Sequence, residues 1–143
     1  MISDTPATAR FRFDHEREIV EIIWSGALSA EAVMRMLDQL AAHPEWKPHY
    51  NRLVTYTSEL APGHVDFEAL QAFKRVQDRW HAEHIPGEFI HAANVYTLDA
   101  MAALVRVWEV LTEKGPYFQV RGFRTREEAV AWLESVKGIA RPV

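Results

Sequence analysis

The run Ile19-Val20-Glu21-Ile22-Ile23-Trp24 constrains this chain more than any other stretch. Apolar residues at nearly every position suit a strand covered on both faces, the condition of strands in helix-covered sheets. The run stops at Ser25-Gly26, and Ser29 then opens a helix in which Val33, Met36, Leu37, Leu40 and Ala41 recur at three-and-four spacing. A buried strand followed by a one-sided helix is half of a crossover unit. The rest of the chain repeats the theme.

Phe11 and Phe13 precede the run across the polar stretch Asp14 to Glu18, so the chain opens as a hairpin. Pro44 and Pro48 make His43 to Asn51 a loop, and Leu53 to Tyr56 reads as the third strand. The turn-rich stretch Thr57 to Val65 leads to Asp66, an N-cap for a helix whose inner face is Phe67, Leu70, Phe73, Val76 and Trp80 and whose end is Pro86-Gly87. Phe89 to Tyr96 is a fourth strand, and Met101 to Leu111 a third helix closed by Gly115-Pro116. Tyr117 to Phe123 is the fifth strand. Thr125-Arg126-Glu127-Glu128 is a capping box for a last helix with Ala129, Val130, Trp132, Leu133 and Val136 inward. The order ββαβαβαβα implies an α/β domain with a mixed five-stranded sheet and four helices. Short linkers and the absence of repeats place all of 1–143 in one domain.

Composition removes several function classes. Across 143 residues, 48% are hydrophobic and none is cysteine, so a core forms without disulfides, and thiol catalysis and thiolate metal sites are excluded. A net charge of −4 gives no pull toward nucleic acid or anionic lipid. No stretch approaches the length of an apolar membrane span, and Met1 to Arg10 has no signal-peptide core, so the expected location is cytoplasmic. The sequence contains no GxGxxG, Walker A, HExxH or GxSxG pattern. The expectation is a protein that is not an enzyme, with no cofactor and no metal.

Softer features remain. Thr57, Ser58, Glu59 and His64 follow the third strand, and Tyr96 and Thr97 leave the fourth toward the same side, beyond the carboxyl ends where ligands of α/β sheets sit. Ser58 and His64 admit a hydrolytic reading; ordinary turn chemistry accounts for the same residues. His81 and His84, at i, i+3 near a helix end, suit either a shared metal or the helix carbonyls and dipole, and the second reading is favoured. Trp24, Trp80, Trp108 and Trp132 fall on core faces, whereas Trp46, between two prolines, covers a sheet edge or gates a pocket. Arg121, Arg124 and Arg126 are read as a solvated face in preference to an anion site. On a helical wheel the third helix is apolar over about 220°, wider than one sheet contact needs. It is either wedged between sheet and helices or meets a second subunit through Ala103, Val107 and Val110.

The element order, the strands Ile19–Ser25 and Leu53–Tyr56, and the closing run from Phe123 through Arg124-Thr125-Arg126-Glu127-Glu128 to Trp132-Leu133 resemble the SpoIIAA-like family of small STAS-fold proteins over residues 9 to 137. The resemblance implies a non-enzymatic role, either in protein–protein regulation or in holding an apolar ligand, as in related CRAL-TRIO-like lipid-transfer folds. In STAS-type anti-sigma-factor antagonists an Asp-Ser pair followed by glycine is the phosphorylation switch. Here the stretch is Tyr56-Thr57-Ser58-Glu59-Leu60, without the aspartate and the glycine, so a switch at Ser58 is not supported. The leading expectation is a self-associating interaction module with an unidentified protein partner. The alternative is a carrier of a small apolar molecule held between the helices and the third and fourth strands, near Tyr56 and Trp46.

Overall fold

The alternating patterns become β1 (Thr8–Asp14), β2 (Ile19–Ala27), α1 (Ala30–Ala42), β3 (Asn51–Ala61), α2 (Phe67–His84), β4 (Ile90–Val95), α3 (Asp99–Thr112), β5 (Phe118–Phe123) and α4 (Arg126–Ser135). They are drawn from a computed structural model that describes residues 6–61 and 65–139, leaving aside the side chains of 58–61. The five strands lie in one sheet in the order β1-β2-β3-β4-β5, with β1 antiparallel to β2 and every other pair parallel. The mixed five-stranded α/β domain expected from the pattern is the one observed.

That strand order decides where the helices go. Each parallel strand is laid beside its predecessor in one direction, so right-handed crossovers place α1, α2 and α3 on the same face. The larger core forms there, from Val20, Ile22 and Trp24 of β2 through Leu37, Leu40, Phe73 and Trp80 to Phe118 and Val120 of β5. Beyond β5 the chain turns back, and α4 covers the opposite face with Ala129 and Leu133 against Ile19, Leu53, Ala93 and Val95. Strand residues therefore divide by parity: Arg52, Val54 and Tyr56 face three helices, whereas Leu53 and Thr55 face α4 or its margin.

Side chains start three of the helices. Ser29 Oγ accepts from the Ala32 N–H at 3.1 Å, Asp66 Oδ1 from that of Ala69 at 2.8 Å, and Thr125 Oγ1 from that of Glu128 at 3.2 Å. The last box closes differently from the expected one. The Glu128 carboxylate accepts from the Thr125 hydroxyl at 2.8 Å instead of from a backbone N–H.

The strands run further than their apolar runs suggest. β2 continues through Ser25-Gly26 to Ala27, and β3 continues from Tyr56 to Ala61, so Thr57, Ser58 and Glu59 belong to a strand and not to a turn. Their pairing passes an irregularity: Trp24 faces Tyr56 and Gly26 faces Leu60, so β3 carries extra residues opposite Ser25. Gly26 sits at φ 91° and the Thr57 hydroxyl donates to the Trp24 carbonyl at 2.9 Å, which together hold the bulge. Two helix faces also differ from expectation. Phe67 is 55% exposed on the first turn of α2, and in α1 Ala32 takes the buried place assigned to Ala41.

β5 carries a close approach that its glycine makes possible. A Cβ on Gly122 would stand 2.4 Å from Val105 Cγ1 and 3.3 Å from Tyr96 Cε1, so α3 rests directly on the strand backbone. Gly122→Ala is expected to cost about 1–3 kcal/mol, because Val105 is buried and a β-branched side chain in a helix is stiff at χ1. Urea unfolding measures it; an unchanged midpoint would mean that α3 shifts on the sheet at no cost.

Candidate functional site

β3 is the middle strand of the sheet, and its helix-facing residues Arg52, Val54 and Tyr56 line a cavity of about 80 Å³. Ile22 and Trp24 of β2 and Ala92 and Asn94 of β4 extend its floor. The three helices roof it: Val33 and Met36 from α1, Leu70, Phe73 and Gln77 from α2, and Met101, Leu104, Val105 and Trp108 from α3. Leu28, Val54, Tyr56, Val65 and Leu104 are half-buried side chains of the wall, while Ile22 at the floor is fully buried. From Arg52 to Tyr56 the floor is about 13 Å long, four residues at strand rise. Most of its lining is apolar.

Its polar groups are few and unusual. Arg52 is only 3% exposed, and its Nε and Nη2 have no hydrogen-bond partner among the described residues. The guanidinium lies 5.9 Å from the centre of a Trp80 ring, and burial pulls its pKa down from the ordinary value to about 10, so it remains charged at neutral pH. Asn94 Nδ2 is likewise buried without a partner. Burial raises the Tyr56 phenol well above its usual pKa, which keeps it neutral. Beside Arg52, His81 is pushed down to about 3 by burial first and by the Arg52 charge second. A neutral imidazole offers no countercharge.

The opposite face handles its buried charge differently. Glu21 is 5% exposed, but Thr55 donates to it at 3.0 Å, and Arg126 and Arg12 reach it at 3.3 and 3.6 Å. A buried carboxylate with three partners is a structural clasp. Among the described residues Arg52 has no such set.

The residues singled out in the sequence do not gather at one place. Tyr56 is a cavity wall, as the carrier reading expected, but Trp46 is not; it packs against Trp80 at 5.9 Å, in the loop before β3. Thr57 is spent on the bulge, the side chains of Ser58 and Glu59 lie outside the described residues, and so does His64. Tyr96 packs beneath the Arg124 guanidinium at 4.8 Å, and the Thr97 carbonyl accepts from the same arginine at 3.4 Å. The arginine trio disperses: Arg124 pairs with Asp99 at 3.0 Å, Arg126 with Glu21, and Arg121 lies over Phe123. His81 and His84 each turn Nδ1 to a carbonyl of their own helix, Gln77 at 2.6 Å and Trp80 at 3.1 Å. Among the described residues no three His, Asp or Glu side chains form a metal-holding group. On α3, Val107 packs against the core, leaving Ala103 and Val110 outward.

The expected place for a ligand, beyond the carboxyl ends of the strands, depends on a reversal in strand order that opens a crevice between neighbouring crossovers. Here the order never reverses. The space lies instead under the helices, and its decisive residue, Arg52, was outside the strand read from Leu53 onward. Its signal was parity. Residue 52 shares a face with Val54 and Tyr56, and an arginine on that face is out of place.

Among solved structures the chain is similar to an uncharacterised DUF3478-family protein with a SpoIIAA-like fold from Shewanella loihica PV-4, with a TM-score of 0.56 and 16% identity over 93% of this chain and 98% of that one. This chain has a SpoIIAA-like fold. At that identity the likeness speaks for the fold alone, and the SpoIIAA-like architecture hosts its function in whatever site each sequence builds on it. No protein-family model matches the sequence, and neither does any curated protein. Among the described residues no helix of this SpoIIAA-like domain is long and apolar enough to cross a membrane.

Proposed function

We propose that this protein is a non-catalytic carrier of a small, largely apolar molecule, held between the sheet and α1, α2 and α3. The observation that carries the reading is the cavity over Arg52, Val54 and Tyr56, walled mainly by apolar side chains of three helices and three inner strands. Well-packed interiors leave few voids larger than a water molecule, so a space of about 80 Å³ in the middle of the main core is a departure that binding would explain. Self-association through α3, the other reading of its wide apolar arc, has less behind it. Met101, Val105 and Trp108 are buried, and Leu104, Val107 and Leu111 pack on the core, so wedging accounts for most of the arc.

Native mass spectrometry of protein purified without detergent tests the proposal. The wild type is expected to carry adducts that organic extraction removes. Ala92→Leu, which fills the floor with added methyl groups, is expected to carry none. Wild-type protein that is bare before extraction and takes up no medium-chain alcohol or acid afterwards would end the carrier reading.

A further inference from the structure

Arg52 is the oddest side chain in the fold. It occupies the middle strand of the sheet, is 3% exposed, and stands among Ile22, Val54, Ala92 and Val120. Elsewhere in the molecule a buried charge is clasped by partners, as Glu21 is. The Trp80 ring face offsets part of the Arg52 charge, but a buried cation without a counterion costs several kcal/mol, and nothing in the packing of this core needs it, since leucine or methionine would fill the same position. Among the described residues the two nitrogens left without a partner are Nε and Nη2. They share one edge of the guanidinium plane, and two parallel N–H donors on one edge are the fork that grips both oxygens of a carboxylate. Asn94, on the adjacent strand and the same face, adds a buried unpartnered Nδ2 donor. Among the described residues the groups that border Arg52 hold no countercharge for it: His81 and Trp80 of α2 are neutral and Gln77 is an amide. On the same helix, Asp78 pairs with Lys74 through Oδ2 at 2.5 Å, while its Oδ1 is buried without a partner among the described residues.

Resting on the carrier reading, we infer that the ligand is an amphipathic carboxylate, its head held by Arg52 and Asn94 and its apolar tail lying along Val54 and Tyr56 toward Leu28, Val65 and Leu104. A single guanidinium with one amide suits a singly charged, planar head. A phosphate ester would bring up to two charges and three acceptor oxygens to a site with one cation.

The test compares three probes of one chain length, decanoate, decanol and decyl phosphate, by titration calorimetry with wild-type, Arg52→Met and Arg52→Gln protein. Decanoate is expected to bind the wild type about ten- to a hundredfold more tightly than decanol, the range of a charge-assisted bidentate pair. In Arg52→Met that preference is expected to vanish while decanol still binds, and the variant is expected to melt higher than the empty wild type because an unpaired charge has gone. Arg52→Gln, which keeps a polar head in place, is expected to lose the preference as well. Equal binding of decanoate and decanol to the wild type would overturn the role of Arg52 and leave the carrier reading standing. Tighter binding of decyl phosphate than decanoate would overturn the carboxylate assignment. Binding of no probe would overturn the carrier reading and this inference together.

Discussion

Trp80→Ala is expected to destabilise the protein by about 3–5 kcal/mol, the range for deleting a large buried aromatic. Trp80 is 1% exposed and sits where three parts of the fold meet: Trp46 of the loop before β3 at 5.9 Å, the Arg52 guanidinium at 5.9 Å, and the His84 ring stacked on it at 4.7 Å. Domains of this size have only about 5–15 kcal/mol in hand, so the loss takes a large share of the total. Two terms act in opposite directions at this site. The indole Nε1 is buried without a partner, so removing it relieves a small penalty, while the empty volume and the uncovered Arg52 face add to the cost. Trp80→Phe separates them in part, because it keeps a six-membered ring in place and removes the orphan N–H together with the rest of the five-membered ring. It is expected to cost less than half as much as the alanine variant. Urea unfolding at pH 7 measures both, and an alanine variant within about 1 kcal/mol of wild type would show that the loop and helix close over the gap.

How far the sequence discloses this site follows from the same packing. Period-two and period-3.6 patterns report which residues are apolar, so the strand run of Ile19 to Trp24 and the stripe Leu70, Phe73 and Trp80 were legible, and with them the topology. The bulge at Gly26 and Thr57 was not. It rests on a pairing between β2 and β3 that no local pattern encodes, and the residues that build it, Ser, Gly, Thr and Glu, look like a turn when read alone. Phe67 shows the opposite mismatch: its spacing matches the stripe, but at the first position of α2 its side chain is more than half exposed. Arg52 was hidden by its own chemistry. A charged residue beside a strand reads as the strand's end, and only the register Val20–Arg52–Ala92–Val120, four helix-facing positions in a row across the sheet, puts it inside. Positions where pattern and placement disagree are where a site is to be sought.

His81 carries the other large effect, a dependence of stability on pH. It is fully buried among Trp80, Tyr117 and Phe118, with ring centres at 5.4, 6.2 and 5.2 Å. Burial, then the Arg52 charge, hold its pKa near 3, against the slight support of the Gln77 carbonyl. The unfolded chain protonates the same imidazole near pH 6.5. Below that value the unfolded state binds a proton that the folded state refuses, so the stability His81 contributes is complete above about pH 6.5 and is lost as the pH falls toward 3. The slope approaches a factor of about ten in the folding equilibrium per pH unit. His91, lowered by burial on the α4 face, acts in the same direction. Asp14, held low chiefly by the Arg17 backbone N–H, and Glu18, held low chiefly by Lys137, have ordinary values near 4, so their losses fall at lower pH than those of the histidines. Among the groups whose pKa is displaced, the two histidines therefore govern the slope between pH 6.5 and 5. His81→Phe keeps the ring and removes the titration, and its unfolding free energy is expected to fall less steeply than that of the wild type, by about tenfold in the equilibrium constant between pH 6 and 5. Parallel curves for the two proteins would mean that His81 accepts its proton inside the fold, and that the Arg52 charge does not reach it.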